Sequence, residues 1–316
     1  VEGLKTYFFT RAGVVKAVDD VSFSVKEGES LGIAGESGCG KSITCLSLVG
    51  LVPQPAGRIV SGKILFEGED LLAKKEKEMR RWRGKRISMI LQDPLTSLNP
   101  CYTIENQVSE PFRIEGLDNG SNNIRRKVID VLKRVKIPSS ERRMKDYPFQ
   151  FSGGMRQRVL AAIAIARDPR LLIADEPTTS LDVTIQDQFL RLLKEMQQQT
   201  NMGLIMITHD LGIVAETCDR VAIMYAGKIV ERGTVEEVFL NPAHPYTQAL
   251  MEALPKMGGK KKRLFQIEGE PPNLLRLPGG CSFWPRCHKA MDICRTQSPP
   301  VTSLKNGGEA SCWLLR

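Results

Sequence analysis

An apolar run, SLGIAG (30–35), leads straight into GESGCGKS (35–42) and then into the helix-like stretch SITCLSLVGL. Strand, glycine-rich loop and helix in that order leave a chain few folds to choose from. The spacing Gly-x-x-x-x-Gly-Lys-Ser turns backbone N–H groups inward around an anion. Gly35, Gly38 and Gly40 allow the close approach and the left-handed backbone that this needs. Lys41 adds a point charge, and the helix beginning near Lys41 aims its positive end at the same place. The anion that suits such a cradle is the phosphate chain of ATP, with Mg²⁺ on the hydroxyl of Ser42. Glu36, Ser37, Cys39 and Ile43 complete the stretch expected around the nucleotide, Cys39 filling a free position of the motif. Four fixed positions match by accident in roughly one chain of this length in a hundred. The flanking strand and helix lower that further.

Well downstream the run LLIAD reads as a buried parallel strand that ends in Asp175 and is followed by Glu176. Acids at the carboxyl end of such a strand stand where open α/β sheets bind ligands. Asp175 is expected in the Mg²⁺ shell and Glu176 as the base that polarises an attacking water. The competing reading is an acidic strand end that caps the next helix. Between the two motifs lies FSGGMRQR (151–158), which an ordinary phosphate-loop enzyme does not need.

That stretch resembles the signature loop of ABC-type ATPases, and other landmarks follow in that family's order. Gln92 in MILQDP matches the Q-loop glutamine, SLD (180–182) the D-loop, and His209 in IMITHD the switch histidine. The resemblance runs over residues 4–255. A narrower one, to the ATPase subunits of oligopeptide and dipeptide importers, appears in QDPLTSLNP, YPFQFSGGMRQR, ADEPTTSLDVTIQ, NPAHPYTQAL and the cysteine-containing tail. Nickel importers of the same group share most of these strings. The usual LSGGQ is FSGGM here, with Met155 in place of Gln, as is common in the peptide-importer branch.

The resemblance implies an α/β fold: a P-loop NTPase of ABC type with an inserted helical subdomain (about 103–166) and a small cysteine-containing C-terminal extension. It divides the chain into an ATPase domain, 1–255, and an extension, 256–316. It implies catalytic roles for Lys41, Gln92, Glu176 and His209, with Gln92 and His209 also touching ATP and Gln92 sharing the Mg²⁺ with Ser42 and Asp175. Gln92, where sheet and helical subdomain join, would sense the γ-phosphate and let the subdomain swing. Ser152, Gly153, Gly154, Met155 and Asp182 would complete the ATP site of a partner chain. Of the aromatics in TYFF, Phe8 aligns with the residue that stacks on adenine; an aromatic packing under the sheet is the plainer alternative. The implied partners are two transmembrane permease subunits, a second ABC ATPase chain (related or identical) and an extracytoplasmic substrate-binding protein. The implied place is the cytoplasmic face of the inner membrane, held peripherally.

Composition agrees. At 316 residues with 41% hydrophobic, the chain can bury one large or two modest cores. No run approaches the ~20 apolar residues of a membrane span, and VEGLKTYFF lacks the pattern of a signal peptide. The net charge of +9 gathers in RRWRGKR (80–86) and GGKKKR (258–263). Solvated loops are the bland reading and an anionic membrane surface the other; with no base-stacking module, nucleic acid is not an expected partner. An ABC ATPase of chromosome maintenance would separate its nucleotide motifs by long coiled coils, which are absent here. A simple kinase would have no use for the signature loop.

Along the chain, VSFSVKEGESLGIAG reads as two strands around a Lys-Glu-Gly turn, and GKILFEGEDL as a strand with a turn. ISMILQD, GLIMITH and RVAIMYA read as buried strands, and VTIQDQFLRLLKEMQQQ as an amphipathic helix. Of eight cysteines, four fall in the tail: Cys281, Cys287, Cys294 and Cys312, spaced C-x5-C-x6-C-x17-C. Four thiolates suit an iron–sulfur cluster or zinc. The gaps are wider than the pairs zinc favours, and unligated thiols remain a third reading. The family resemblance, some of whose members carry a [4Fe–4S] cluster there, favours the cluster.

Overall fold

The computed structural model describes residues 1–114, 121–179, 181–254, 265–305 and 307–316. The chain forms two compact units: Val1–Ser24, Leu31–Lys74 and Thr208–Arg316 make the first, Val25–Ser30 and Lys75–Ile207 the second. The expected boundary at 255/256, the KKKR run and Ser180 lie outside the described residues.

In the first unit Glu2–Thr10 sits between Gly13–Val21 and Gly57–Lys63 in an antiparallel three-stranded sheet. Leu4, Val18 and Val21 are buried, and so is Thr6, whose hydroxyl is hydrogen-bonded with that of Ser47 at 2.8 Å. The strand Ser30–Ala34 is buried at every position. From Leu31 to Ala34 it pairs in parallel with Arg220–Tyr225, which turns back antiparallel into Lys228–Thr234. Ala226 (φ 49°) and Gly227 (φ 82°) form that hairpin turn, both in the left-handed region that matches strand twist. The tail joins the same sheet: Glu309–Ala310 pairs with Lys228–Thr234, and Thr302–Ser303 pairs with Glu309–Ala310.

One expected strand does not form. Gly13–Val21 ends before SFSV, and residues 22–29 are in no strand. Asp20 adopts φ 66° at a register shift, and the ladder ends one residue later with Val21 opposite Leu4. Phe23 exchanges backbone hydrogen bonds with Val1 instead, at 2.8 and 3.1 Å. GKILFEGEDL does fold back, through Glu67 and Gly68 at positive φ, and pairs Leu65–Phe66 with Glu69–Asp70.

In the second unit Leu171–Asp175 lies between Ile87–Ile90 and Gly203–Thr208, all parallel. These are short, nearly continuous apolar runs, as strands covered on both faces must be. The inserted helices are Ile104–Ile114, Ser121–Arg134, Ser140–Arg143 and Gly153–Ile165. The last of these packs against the first two and against Ile87–Ile90. Its central place follows from its composition: Val159, Leu160, Ala161, Ala162, Ala164 and Ile165 are all buried, so no face of its second half is polar. Val183–Thr200 buries Phe189, Leu192, Leu193 and Met196, the i, i+3, i+4, i+7 stripe of a helix with one wet face. The basic run at 80–86 is not a loose loop. Arg80 and Arg83 both pair with Glu76 across the helix Glu76–Trp82, and the Arg86 guanidinium lies 4.7 Å from the Trp82 ring.

Candidate functional site

The glycine loop occupies residues 35–40, between Ser30–Ala34 and the helix Lys41–Leu48. Its glycines divide by cause. A Cβ on Gly35 would lie 2.1 Å from Met224 O, and one on Gly40 2.1 Å from Ala17 O, so both are fixed by packing. Gly38 (φ 76°) has nothing within 4 Å, and only its left-handed backbone asks for glycine. Ser37 and Gly38 face solvent, while Ser42 and Ile43 are half-buried. Lys41 is 4% exposed; its Nζ donates to Gly35 O at 2.8 Å and Glu36 O at 3.0 Å. The ammonium thus lies curled within its own loop, and the first helical turn after it carries no acid. Cys39 is buried behind the loop, and burial raises its thiol pKa.

Upstream, Phe8 is half-buried and packs over Gly57, where a Cβ would meet its ring at 2.8 Å. Tyr7 is engaged through its hydroxyl, which donates to Asp19 at 2.7 Å. Phe9 is 46% exposed, with Arg58 5.7 Å from its ring. His209 is exposed, just after Gly203–Thr208. The cap of the next helix is Asp210, whose carboxylate accepts from Gly212 and Ile213 N–H.

The second unit brings Gln92 and Glu176 together. Gln92 Nε2 donates to Glu176 Oε2 at 3.0 Å, and Thr179 Oγ1 donates to the same oxygen at 3.1 Å. Asp175 is 5% exposed at the strand end. Glu176 follows in the left-handed region (φ 43°), with its N–H bonded to Ile207 O at 3.0 Å. A glutamate held there is uncommon and costs on the order of 1 kcal/mol. The competing reading of this acid pair, a cap for the next helix, is not what forms: the helix Val183–Thr200 is capped by Asp182, which accepts from Ile185 N–H at 3.0 Å. Ser152 caps Gly153–Ile165, accepting from Met155 N–H at 3.3 Å, and Ser152 and Gly153 are exposed at that helix N-terminus. A Cβ on Gly154 would come within 2.4 Å of Ile185 Cγ2, so close helix packing requires that glycine.

The tail cysteines converge. Cys281, Cys287, Cys294 and Cys312 line one cavity of about 10 Å³, with Phe283, Trp284 and Trp313. That is about the room of one water. Cys281 N–H donates to Cys294 O at 2.9 Å. Burial pushes the Cys281 thiol up to about 11, helped by the other three thiols nearby. Among the described residues no group of three or more His, Cys, Asp or Glu is arranged to hold a metal ion.

Sequence reasoning missed a second set of residues at the loop. The turn NPAH is anchored on buried Glu231, which accepts the N–H groups of Ala243 and His244 at 2.7 and 2.9 Å. His244 Nδ1 caps the helix Pro245–Ala253 by accepting from Tyr246 N–H. Tyr246 is fully buried and its hydroxyl accepts from Glu36 N–H at 3.0 Å. Its ring lies 4.6 Å from that of Tyr225 and 5.3 Å from that of Phe283. Nothing in local periodicity links positions so far apart; the NPAHPYTQAL string was the one available signal.

A glycine-cradled lysine, an acid pair after a buried strand and a Ser-Gly-Gly helix start, on an α/β frame with inserted helices, define an ATPase of the ATP-binding cassette class. Residues 18–179 match the family model described as ABC transporter, and residues 230–294 match that of the oligopeptide/dipeptide transporter C-terminal region. The dipeptide transport ATP-binding protein DppD of Escherichia coli is 47% identical over 99% of this chain and 95% of its own length. The oligopeptide transport ATP-binding protein AppD of Bacillus subtilis is 46% identical over 99% and 95%. Among solved structures, the cassette MJ0796 in a dimeric post-hydrolysis state with ADP and Pi shares the fold, with a TM-score of 0.66 at 23% identity over 74% of this chain and 97% of that one. For cbiO1 from Clostridium perfringens the TM-score is 0.63 at 28% identity, over 76% and 91%. The chain belongs to the ABC transporter ATPase family, in the branch with the oligopeptide/dipeptide transporter C-terminal region.

Proposed function

We propose that this chain binds and hydrolyses ATP to power import of dipeptides or oligopeptides across the cytoplasmic membrane. The observation that carries the peptide assignment is the likeness to peptide-transport ATP-binding proteins over 99% of the chain, tail included. Residues 35–43 hold the phosphates, with Lys41 leaving its own loop carbonyls for the β- and γ-phosphates. Ser42, Asp175 and Gln92 hold Mg²⁺, Glu176 polarises the water, and His209 contacts the γ-phosphate. Phe8, half-buried beside Gly57, stacks on adenine. Ser152, Gly153, Gly154, Met155 and Asp182 serve the ATP of a second ATPase chain, offering an exposed helix N-terminus to its γ-phosphate. Among the described residues no helix is long and apolar enough to cross a membrane. We place the chain peripherally on the cytoplasmic face, with two permeases and an extracytoplasmic substrate-binding protein completing the importer.

The four tail thiols fit a [4Fe–4S] cluster by donor type and number. Their cavity of about 10 Å³ does not offer a cluster's room, so loading would spread the thiols. The cluster would serve as a staple for the tail, and no step of hydrolysis passes through it. Iron and acid-labile sulfide in anaerobically purified protein would support it; protein free of both, without broad blue absorption, would end it.

The assembly is tested by affinity purification from solubilised membranes with mass spectrometry. Two hydrophobic subunits, a related ATPase and a peptide-binding protein are expected. Recovery with nucleic-acid enzymes and no membrane subunit would overturn the proposal, and a nickel-binding protein in place of the peptide-binding one would change the cargo.

A further inference from the structure

Arg286 lies in the cysteine block, next to Cys287, yet its guanidinium reaches the phosphate loop. Nη1 donates to Glu36 Oε2 at 2.7 Å and Nη2 to Glu36 Oε1 at 3.0 Å, a two-pronged fork on one carboxylate. Nε donates to Glu268 O at 3.1 Å, and the guanidinium carbon lies 5.9 Å from the centre of the Tyr225 ring. The Arg286 side chain is 5% exposed and that of Glu36 25%, so water screens the pair poorly. Glu36 is also the residue whose N–H meets the Tyr246 hydroxyl. The tail and the Tyr246 helix therefore grip one loop residue by both its side chain and its backbone.

Glu36 is the one acid in the stretch 35–42. A carboxylate next to a cradle for a polyanion opposes binding through simple Coulomb repulsion. The Arg286 fork offsets that charge. We propose that Arg286 is a positioning residue for ATP: it neutralises Glu36 and holds its side chain, so that the order of the cysteine block sets the loop's affinity for a nucleoside triphosphate. The proposal rests on the reading of residues 35–42 as the phosphate loop.

The test is calorimetric titration of Mg-ATP into the full chain and its variants. Arg286→Ala should weaken binding about tenfold, which corresponds to about 1.4 kcal/mol. Arg286→Lys, which keeps the charge but not the fork, should fall between Arg286→Ala and the parent. The double variant Glu36→Gln, Arg286→Ala should regain most of the loss, because the charge to be cancelled is gone. Unchanged affinity in Arg286→Ala, or a double variant as weak as Arg286→Ala, would overturn the proposal; the second result would reduce Arg286 to packing the tail. Lys41→Ala separates the underlying reading: if it too binds ATP like the parent, residues 35–42 are not the phosphate loop and both ideas fall.

Discussion

The side-chain amide of Gln92 donates a 3.0 Å hydrogen bond to the carboxylate of Glu176. Thr179 donates to the same oxygen, so the proposed base is held by two donors. A Gln92 that turns instead toward Mg²⁺ or the γ-phosphate would free that oxygen of Glu176 to meet a water. One contact would thus link nucleotide sensing to water activation within a single unit.

Replacing Glu176 by Gln tests this role. Hydrolysis should fall by about 10²–10⁴-fold, the range for removing a general base, while ATP binding is kept. Turnover and equilibrium binding measured on the same preparation check it. Rapid turnover by Glu176→Gln would take the base role from this residue.

The glycines of the loop should separate by cause. Gly40→Ala pushes a Cβ to 2.1 Å from a backbone oxygen and should destabilise the fold by about 2–5 kcal/mol, from overpacking and left-handed strain together. Gly38→Ala meets no neighbour within 4 Å and should cost only the strain, about 1–2 kcal/mol. Chemical denaturation midpoints decide this; equal losses would mean that packing around Gly40 gives way.

His244 provides a pH signature. Burial holds it far below its ordinary value of 6.5, at about 3. The unfolded chain takes up this proton once the pH drops below about 6.5, and the folded chain only near 3. Its contribution is therefore complete above the upper value and is lost as the pH falls toward the lower one. His244→Asn, which can still cap the helix, should lose less melting temperature than the parent between about pH 7 and pH 4. Parallel curves would contradict this.

Ser152→Arg tests the shared site. It puts a bulky cation at the exposed start of Gly153–Ile165 and removes a cap worth about 1 kcal/mol. Hydrolysis should be abolished while the variant's own ATP binding persists, measured with a fluorescent nucleotide. Loss of that binding would mean the site is not shared between chains.

What could be read from the sequence was local. The loop at 35–42, the acid pair after LLIAD, the Ser152 helix start and the strands ISMI, GLIMIT and RVAIMY all follow from glycine spacing and apolar runs. The strand expected from VSFSV does not form: the ladder ends at Val21, just past a register shift at the left-handed Asp20 that no alternation rule foresees. The clamp on Glu36 was illegible for another reason. Tyr246 and Arg286 meet it across 210 and 250 residues of sequence, and each would serve equally well elsewhere as an ordinary packed tyrosine or surface arginine. Four cysteines signalled convergence, but not the narrowness of the cavity they line.

The most direct test is transport itself. Vesicles carrying the purified importer, with this chain and ATP on the same face, should accumulate a labelled peptide against its gradient. The same vesicles with Glu176→Gln should bind ATP and accumulate none. Peptide uptake that continues in the Glu176→Gln vesicles, or ATP-driven uptake of nickel with none of peptide, would contradict the account.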